Sequence, residues 1–386
     1  VPAKKVSTGA DFNEGQMTST SESIGILEEA QQRAKSLAER LGIERAVLSA
    51  PMTGTAGPEL VAAVSAAGGL GVLPTGGMTA SEIEKAAEKI RSLTDKPFAI
   101  QIRIPPKAAH RPQDLHELAE GLAEVLKGLR LPDPLSPEGE AFYDFASTRE
   151  HETFDERFKA ILAAKPAAVI STSGGFREPE AEALFDARIM NIGTATTLRE
   201  AKVLRAAKAD AIICQGAEAA GPRSNFEDSD EVLTGLMSLV PAAARATRLP
   251  VIAAGGISEG TQACGALLAG ASGVMAGTAF LSTRESLASP YVRNVLIWTT
   301  AAHLTLTRLY TGRLVRALRS PLLDALQDYE PRLPAWPAPE ALMGPLTEAA
   351  RRQGREELEA VYLGQSAGRS SWRTAREAVE ALSKYF

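Results

Sequence analysis

Residues 249 to 278, LPVIAAGGISEGTQACGALLAGASGVMAGT, hold one pattern twice. A short run that is apolar throughout ends in Ala-Ala-Gly-Gly, a helical stretch follows, and a second such run ends in Ala-Gly-Thr. A strand with no polar alternation is one covered on both faces, and a strand, helix, strand connection makes the two strands neighbours in a parallel sheet. Small residues at both strand ends also let backbone amides come close to an anion. Glycines placed only for tight turns are the plainer alternative, but consecutive strand ends built alike favour a phosphate-bearing ligand.

Working outward, the same unit recurs along the chain. The further apolar runs are AVLSAPM near 46, LGVLPT near 70, FAIQIRI near 98, AAVISTSG near 167, ARIMNIGT near 187 and ADAIICQG near 209. Eight such runs separated by helices predict closure into a TIM (β/α)8 barrel, whose seventh and eighth strand ends are the usual phosphate site. Two intervals are swollen. That after the third run, near 104–160, holds a helix plus a Pro-rich insertion, and that after the sixth lengthens the loop QGAEAAGPRSNFEDSDE before a helix expected near 231. Long loops after barrel strands lie on the catalytic face. Residues 22–284 are therefore assigned to the barrel with its insertion, and 285–386 to a C-terminal helical appendage over or beside its mouth. Residues 22–41 read as a helix with Ile26, Leu27, Ala30, Ala34, Leu37 and Leu41 at helical spacing.

Composition limits the function classes. The 386 residues are 45% hydrophobic and 23% charged, with net charge -5 and no basic stripe, which argues against nucleic-acid binding. No apolar run approaches the roughly 18 residues of a membrane span, and the polar opening VPAKKVSTGADFNEGQ has no secretory core, so residues 1–21 read as a disordered leader or tag. The two cysteines, Cys214 and Cys264, lack metal-site or redox-pair spacing; buried thiols in a reducing cytoplasm are expected, and no metal site.

Some residues stand out against their surroundings. A glutamine inside FAIQIRI, Gln101, is a poor choice for a dry core, where its amide needs several partners, so it is expected to reach a ligand from the barrel mouth. Gln215 ends an apolar run in the same way. Pro51-Met52 closes the first run, and Glu218 is either a catalytic base or, on the plainer reading, a support for its loop.

Four motifs in barrel-compatible order carry a resemblance: LGIERAVLSAPMTGTAGPELVAAVSAAGGLGVLPTGGMT at 41 to 79, ADAIICQGAEAAG at 209 to 221, PVIAAGGIS at 250 to 258 and GVMAGTAFLSTRES at 273 to 286, with TRLYTGRLVRAL at 307 to 318 beside them. The chain resembles the nitronate monooxygenases, formerly 2-nitropropane dioxygenases, with their relatives the flavin-dependent enoyl-acyl-carrier-protein reductases and NADH:quinone reductases. The resemblance implies FMN at the barrel mouth. Its phosphate would be held by Gly255, Gly256, Gly277 and Thr278, with Met52, Thr53, Gln101 and Gln215 toward the ring and Gly216, Ala220, Gly221 and Ala276 close to it. Related sequences carry asparagine where Gln101 stands.

One departure bears on chemistry. Similar sequences end the loop after the sixth strand in Gly-Gly-His, and that histidine takes the proton from the carbon beside the nitro group. Here the loop reads Ala220, Gly221, Pro222, and proline removes no proton. Of the four histidines, His110, His116 and His151 fall in the swollen interval and His303 on the helix expected over WTTAAHLTLTRL. His151 and Glu218 are the weak candidates for a substitute base. The leading expectation is an FMN-dependent oxidoreductase acting on a small molecule, oxidising nitronates or nitroalkanes with O2. An NAD(P)H-dependent reductase of an enoyl thioester or quinone, a phosphate-binding isomerase, lyase or synthase without flavin, and a flavoprotein without turnover stay open, as does a homo-oligomeric state.

Overall fold

The computed structural model describes residues 14 to 105, 112 to 139, 153 to 369 and 371 to 386. Each apolar run quoted above forms a strand: β1 (Val47–Ser49), β2 (Gly71–Pro74), β3 (Phe98–Arg103), β4 (Ala168–Thr172), β5 (Met190–Ala195), β6 (Ala211–Gln215) and, beyond the short β7 (Gly221–Pro222), β8 (Val251–Ala254) and β9 (Gly273–Ala276). Eight of these strands form one sheet through seven parallel pairings in the order β1-β9-β8-β6-β5-β4-β3-β2. A parallel bridge between Leu48 and Leu70 joins the two ends, with the Ser49 amide donating to the Leu70 carbonyl at 3.1 Å and the Leu70 amide to the Val47 carbonyl at 2.9 Å. The sheet is a closed α/β barrel, as the sequence predicts.

Local chemistry sets the helices between the strands. Thr79 opens the helix Ala80–Leu93 as a capping box: its hydroxyl accepts from the Glu82 amide at 3.2 Å, and Glu82 accepts from the Thr79 amide at 2.8 Å. Thr153 and Glu156 do the same for Phe154–Ala163. The apolar faces so produced pack on the outside of strands that are buried except at the last residues of β3, β4 and β6, Arg103, Thr172 and Gln215.

The two swellings and the C-terminal part are not independent additions. Leu118, Leu122 and Leu126, from the helix Pro112–Gly128 of the insertion, share one core with Leu309, Tyr310, Leu322, Leu342 and Leu346 of the C-terminal part. That core lies over the barrel mouth and is separate from the barrel's own. The last helix, Ala375–Leu382, returns to the barrel and buries Ala375, Ala378, Val379 and Leu382 in the same core as Leu60 and Ala266.

Several expectations need correction. The first helix spans Glu14–Leu41, so residues 14 to 21 are helical and not part of a disordered leader; with no proline between them, the helix that Ala30, Ala34, Leu37 and Leu41 anchor propagates back at little cost. Ile26 and Leu27 of that helix are exposed. The helix after the long loop starts at Leu236 rather than near 231. The C-terminal part contains, besides its helices, an antiparallel pair, β10 (Leu304–Thr307) and β11 (Val315–Leu318), and His303 closes a 3-10 turn ahead of it instead of lying on a helix. LTLT alternates with period two, which favours a strand over a helix. β11 also pairs with β7, placing Val315 opposite Pro222 and Arg316 opposite Gly221.

Candidate functional site

A cleft of about 630 Å³ opens at the C-terminal ends of the barrel strands and is roofed by the C-terminal part. Ile170, Ile213 and Met275 form an apolar floor at its barrel side. Of the residues singled out in the sequence, Met52, Thr53, Gln101, Gln215, Ala220, Gly221, Pro222, Gly255, Gly256, Ala276, Gly277 and Thr278 all line it. Gly216 and Glu218 do not. Gly216 is buried behind the wall, where a Cβ would sit 2.8 Å from the Leu236 side chain.

The end of the cleft at β8 and β9 is made of backbone. Gly255 and Gly256 have φ of +117° and +67°, and added Cβ atoms would stand 2.9 Å from the Ala219 amide nitrogen and 2.8 Å from the Glu218 side chain. Only glycine takes these conformations and this approach of two loops together. A Cβ on Gly277 would lie 3.3 Å from Ala50 Cβ and 3.4 Å from Met52 Sδ. The amides of Gly256, Gly277 and Thr278 donate to no acceptor among the described residues, and all three residues line the cleft. The segment Gly364–Ser366 closes this end from above: the Gly364 amide donates to the Thr278 hydroxyl at 3.0 Å, the Gln365 amide to the Glu218 carbonyl at 3.0 Å, and the Ser366 hydroxyl to the Gly256 carbonyl. Sequence reasoning missed that segment, although GQSAG carries the same small-residue composition as the two strand ends.

The loop after β6 is pinned from several directions. The Gln215 amide donates to the Pro222 carbonyl at 3.1 Å and accepts from the Ser224 amide at 2.9 Å. It therefore braces the loop while forming part of the cleft wall. Glu218 accepts from the Leu236 amide with both oxygens, at 3.0 and 3.1 Å, which caps the helix Leu236–Thr247 and fits the loop-supporting role. Arg223 donates from Nη1 to the carbonyls of Gln215 and Gly216, and Arg316 to that of Ala217. Gln101 is 8% exposed, and its amide donates to the Thr172 hydroxyl at 2.8 Å.

The opposite end is built from long side chains that arrive from distant parts of the chain. Arg103, at the end of β3, forms a two-point ion pair with Glu340 at 2.7 and 3.0 Å. Glu340 also accepts from the Trp336 indole at 3.1 Å, and Arg103 and Arg313 both lie over the Trp336 ring, at 5.6 and 4.1 Å from its centre. Burial, with the charge of Arg103, pushes the Arg313 guanidinium down to about 10, which leaves it cationic at neutral pH. The Tyr310 phenol is pushed up to about 12 by burial and stays protonated there.

No histidine among the described residues lines the cleft. His116 is exposed and meets Glu120 at 3.3 Å, His303 is exposed beside Thr300, and His110 and His151 lie outside the described residues. Both cysteines are free; Cys214 is fully buried, with its thiol raised to about 12 by desolvation, whereas Cys264 is only half-buried, contrary to expectation. Among the described residues no helix is long and apolar enough to cross a membrane.

Comparison with known proteins agrees with this arrangement. The family model described as Nitronate monooxygenase matches residues 34–384. A Staphylococcus aureus (strain JH9) protein named "Probable nitronate monooxygenase" is 31% identical over 332 residues, covering 86% of this chain and 91% of its own. A Staphylococcus haemolyticus protein of the same name is 29% identical over 333 residues, covering 86% and 90%. Among solved structures, nitroalkane oxidase from Streptomyces ansochromogenes superposes with a TM-score of 0.78 at 32% identity, over 89% of this chain and 96% of that one. FabK from Thermotoga maritima follows with 0.67 at 25%, over 91% and 95%.

Proposed function

The chain belongs to the nitronate monooxygenase family and is an oxidoreductase, and from that premise we propose that it binds FMN and oxidises preformed nitronates with O2. The observation that carries the cofactor is the group of amides at Gly256, Gly277 and Thr278 with no acceptor among the described residues, on a wall where added Cβ atoms at the two glycines would press on Glu218 and on Ala50 and Met52. One terminal phosphate suits such a cradle. Bound FMN would supply the electron acceptor for substrate oxidation and the site of reaction with O2.

The chain's own residues do the remaining work. Met52 and Thr53 at the end of β1 and Gln101 on β3 would face the ring, and the floor of Ile170, Ile213 and Met275 keeps water from beneath it. Pro222 stands on the cleft wall where related sequences hold their base, so this position orients the loop and removes no proton. A nitronate arrives already deprotonated and needs none removed. That is why the nitronate is favoured over the neutral nitroalkane.

The same residue favours a second reading, an NAD(P)H-dependent reductase of an enoyl thioester or quinone, because hydride transfer to a flavin needs orientation and no base. Denaturing the purified protein and separating the released cofactor tests the shared premise. Free FMN is expected; FAD, or a colourless protein at full yield, would overturn it and favour a barrel without flavin.

A further inference from the structure

Four arginines line the cleft: Arg103, Arg223, Arg313 and Arg351. Two are matched to carboxylates, Arg103 to Glu340 at 2.7 Å, and Arg351 to Glu348 at 2.8 Å and Glu359 at 3.5 Å. Arg223 is 4% exposed and turns its Nη1 back to its own loop. Arg223 likewise has no carboxylate ion pair among the described residues, and its Nε and Nη2 are buried without a partner; Arg313 differs in that its unpartnered edge is not buried. Its Nη1 donates to the carbonyls of Arg223 at 3.1 Å and Asn225 at 2.8 Å, and Trp336 covers one face of the guanidinium at 4.1 Å. It has no carboxylate ion pair among the described residues. Its other edge, Nε and Nη2, has no partner there either and is not among the buried polar atoms.

That free edge has a specific chemistry. Two parallel N–H groups on a rigid, planar cation match the two oxygens of a planar anion, a carboxylate or a nitronate, far better than they match a neutral group. The guanidinium is held by the carbonyl of Arg223, one residue from Pro222, and both Arg313 and Pro222 line the cleft. Trp336 and the two carbonyls fix the guanidinium plane, which lowers the entropy lost when an anion is gripped.

We propose that Arg313 anchors a planar two-oxygen anion of the substrate, and that the site selects anionic substrates through it. The inference rests on the oxidoreductase reading but is tested separately from it. Benzoate, with benzamide as its neutral counterpart, is titrated into the purified protein by calorimetry, and the same is done for Arg313→Gln and Arg313→Lys. Arg313→Gln should weaken benzoate about tenfold or more while leaving benzamide unchanged, as expected for losing charged hydrogen bonds. Arg313→Lys should retain part of the affinity, which would show that the loss is not one of folding. Benzoate affinity within twofold of the parent protein in Arg313→Gln would overturn the proposal, as would loss of bound flavin in that variant, since Arg313 would then serve the cofactor.

The source of the anion is read by a second arm. If Arg313 grips the nitronate itself, KM for the nitronate of nitroethane rises in Arg313→Gln; if it grips a carboxylate elsewhere on the substrate, KM rises only for a nitronate that also carries one. An unchanged KM for both would contradict the anchor. A protein without flavin would end the functional reading and still leave the benzoate titration to decide this one.

Discussion

The two ends of the cleft are built in opposite ways. At β8 and β9 the wall is glycine, alanine and bare amides, drawn mainly from one stretch of thirty residues, Leu249 to Thr278. At the other end it is Arg103, Arg313, Trp336 and Glu340, large side chains brought together from β3, a hairpin turn and the helix Ala338–Arg352. The first offers an anion backbone amides and the small hydroxyls of Thr278 and Ser366, so it is nearly indifferent to what the anion is attached to. On the proposed reading the second reads charge and shape and sets which molecule reacts. Binding and selection would then be divided between the two, and Pro222 lines the cleft they share.

The sharpest way to break that division is to put a base at that position. Pro222→His should raise kcat/KM for a neutral nitroalkane by about 10²- to 10⁴-fold, the usual contribution of a general base, with little change for its nitronate. Steady-state rates on both forms check this. An equal gain on both would mean that the substitution acts by reshaping the loop. Next comes the backbone end. Gly277→Val adds bulk where a Cβ alone would sit 3.3 Å from Ala50 Cβ, and should weaken FMN retention by roughly ten- to a hundredfold, the effect of about 1–3 kcal/mol of overpacking, with the far-UV circular dichroism preserved. Unchanged flavin content would move the phosphate elsewhere.

Smaller effects separate support from chemistry. Glu218→Gln weakens the cap on the helix Leu236–Thr247 and should cost about 1 kcal/mol of stability, seen as a modest fall in Tm, with nitronate turnover nearly unchanged. A hundredfold loss of turnover at full flavin content would instead make Glu218 the base. The smallest expected effect is none: with the Tyr310 phenol raised to about 12 by burial, kcat/KM for a nitronate should not follow a phenol titration between pH 8 and 10. Because that folded-state value lies above the ordinary one near 10, the phenol's contribution to stability is intact below pH 10 and disappears as the pH climbs toward 12. A rate rising through pH 9 to 10 would give a tyrosine at this end a proton-removing role.

The same contrast explains what could be read from the chain. Each barrel strand and the glycines at β8 and β9 follow from local patterns, because a run such as VIAAGG shows both its burial and its turn within six residues. Gln101 and Pro222 were also legible, each being the wrong residue type for a plainer role. Arg103 and Glu340 are 237 positions apart, and nothing local in IQIRIPP or WPAPEAL states that they pair. The pairing of β11 with the loop at Pro222 was hidden for the same reason, since a two-residue strand has no periodicity to read. Gln215 lines the cleft, but its hydrogen bonds to Pro222 and Ser224 depend on a loop conformation fixed from outside the loop.

The proposed function has this site oxidise a substrate that arrives as an anion, because no histidine among the described residues lines the cleft and Pro222 removes no proton. Anaerobic mixing of the purified protein with a preformed nitronate, with the corresponding neutral nitroalkane, and with NADH or NADPH, while following flavin absorbance, tests it most directly. Rapid bleaching by the nitronate, at least a hundredfold faster than by the neutral nitroalkane, is the expected result. Equal bleaching by the two forms, or bleaching by NADH or NADPH alone, would contradict it.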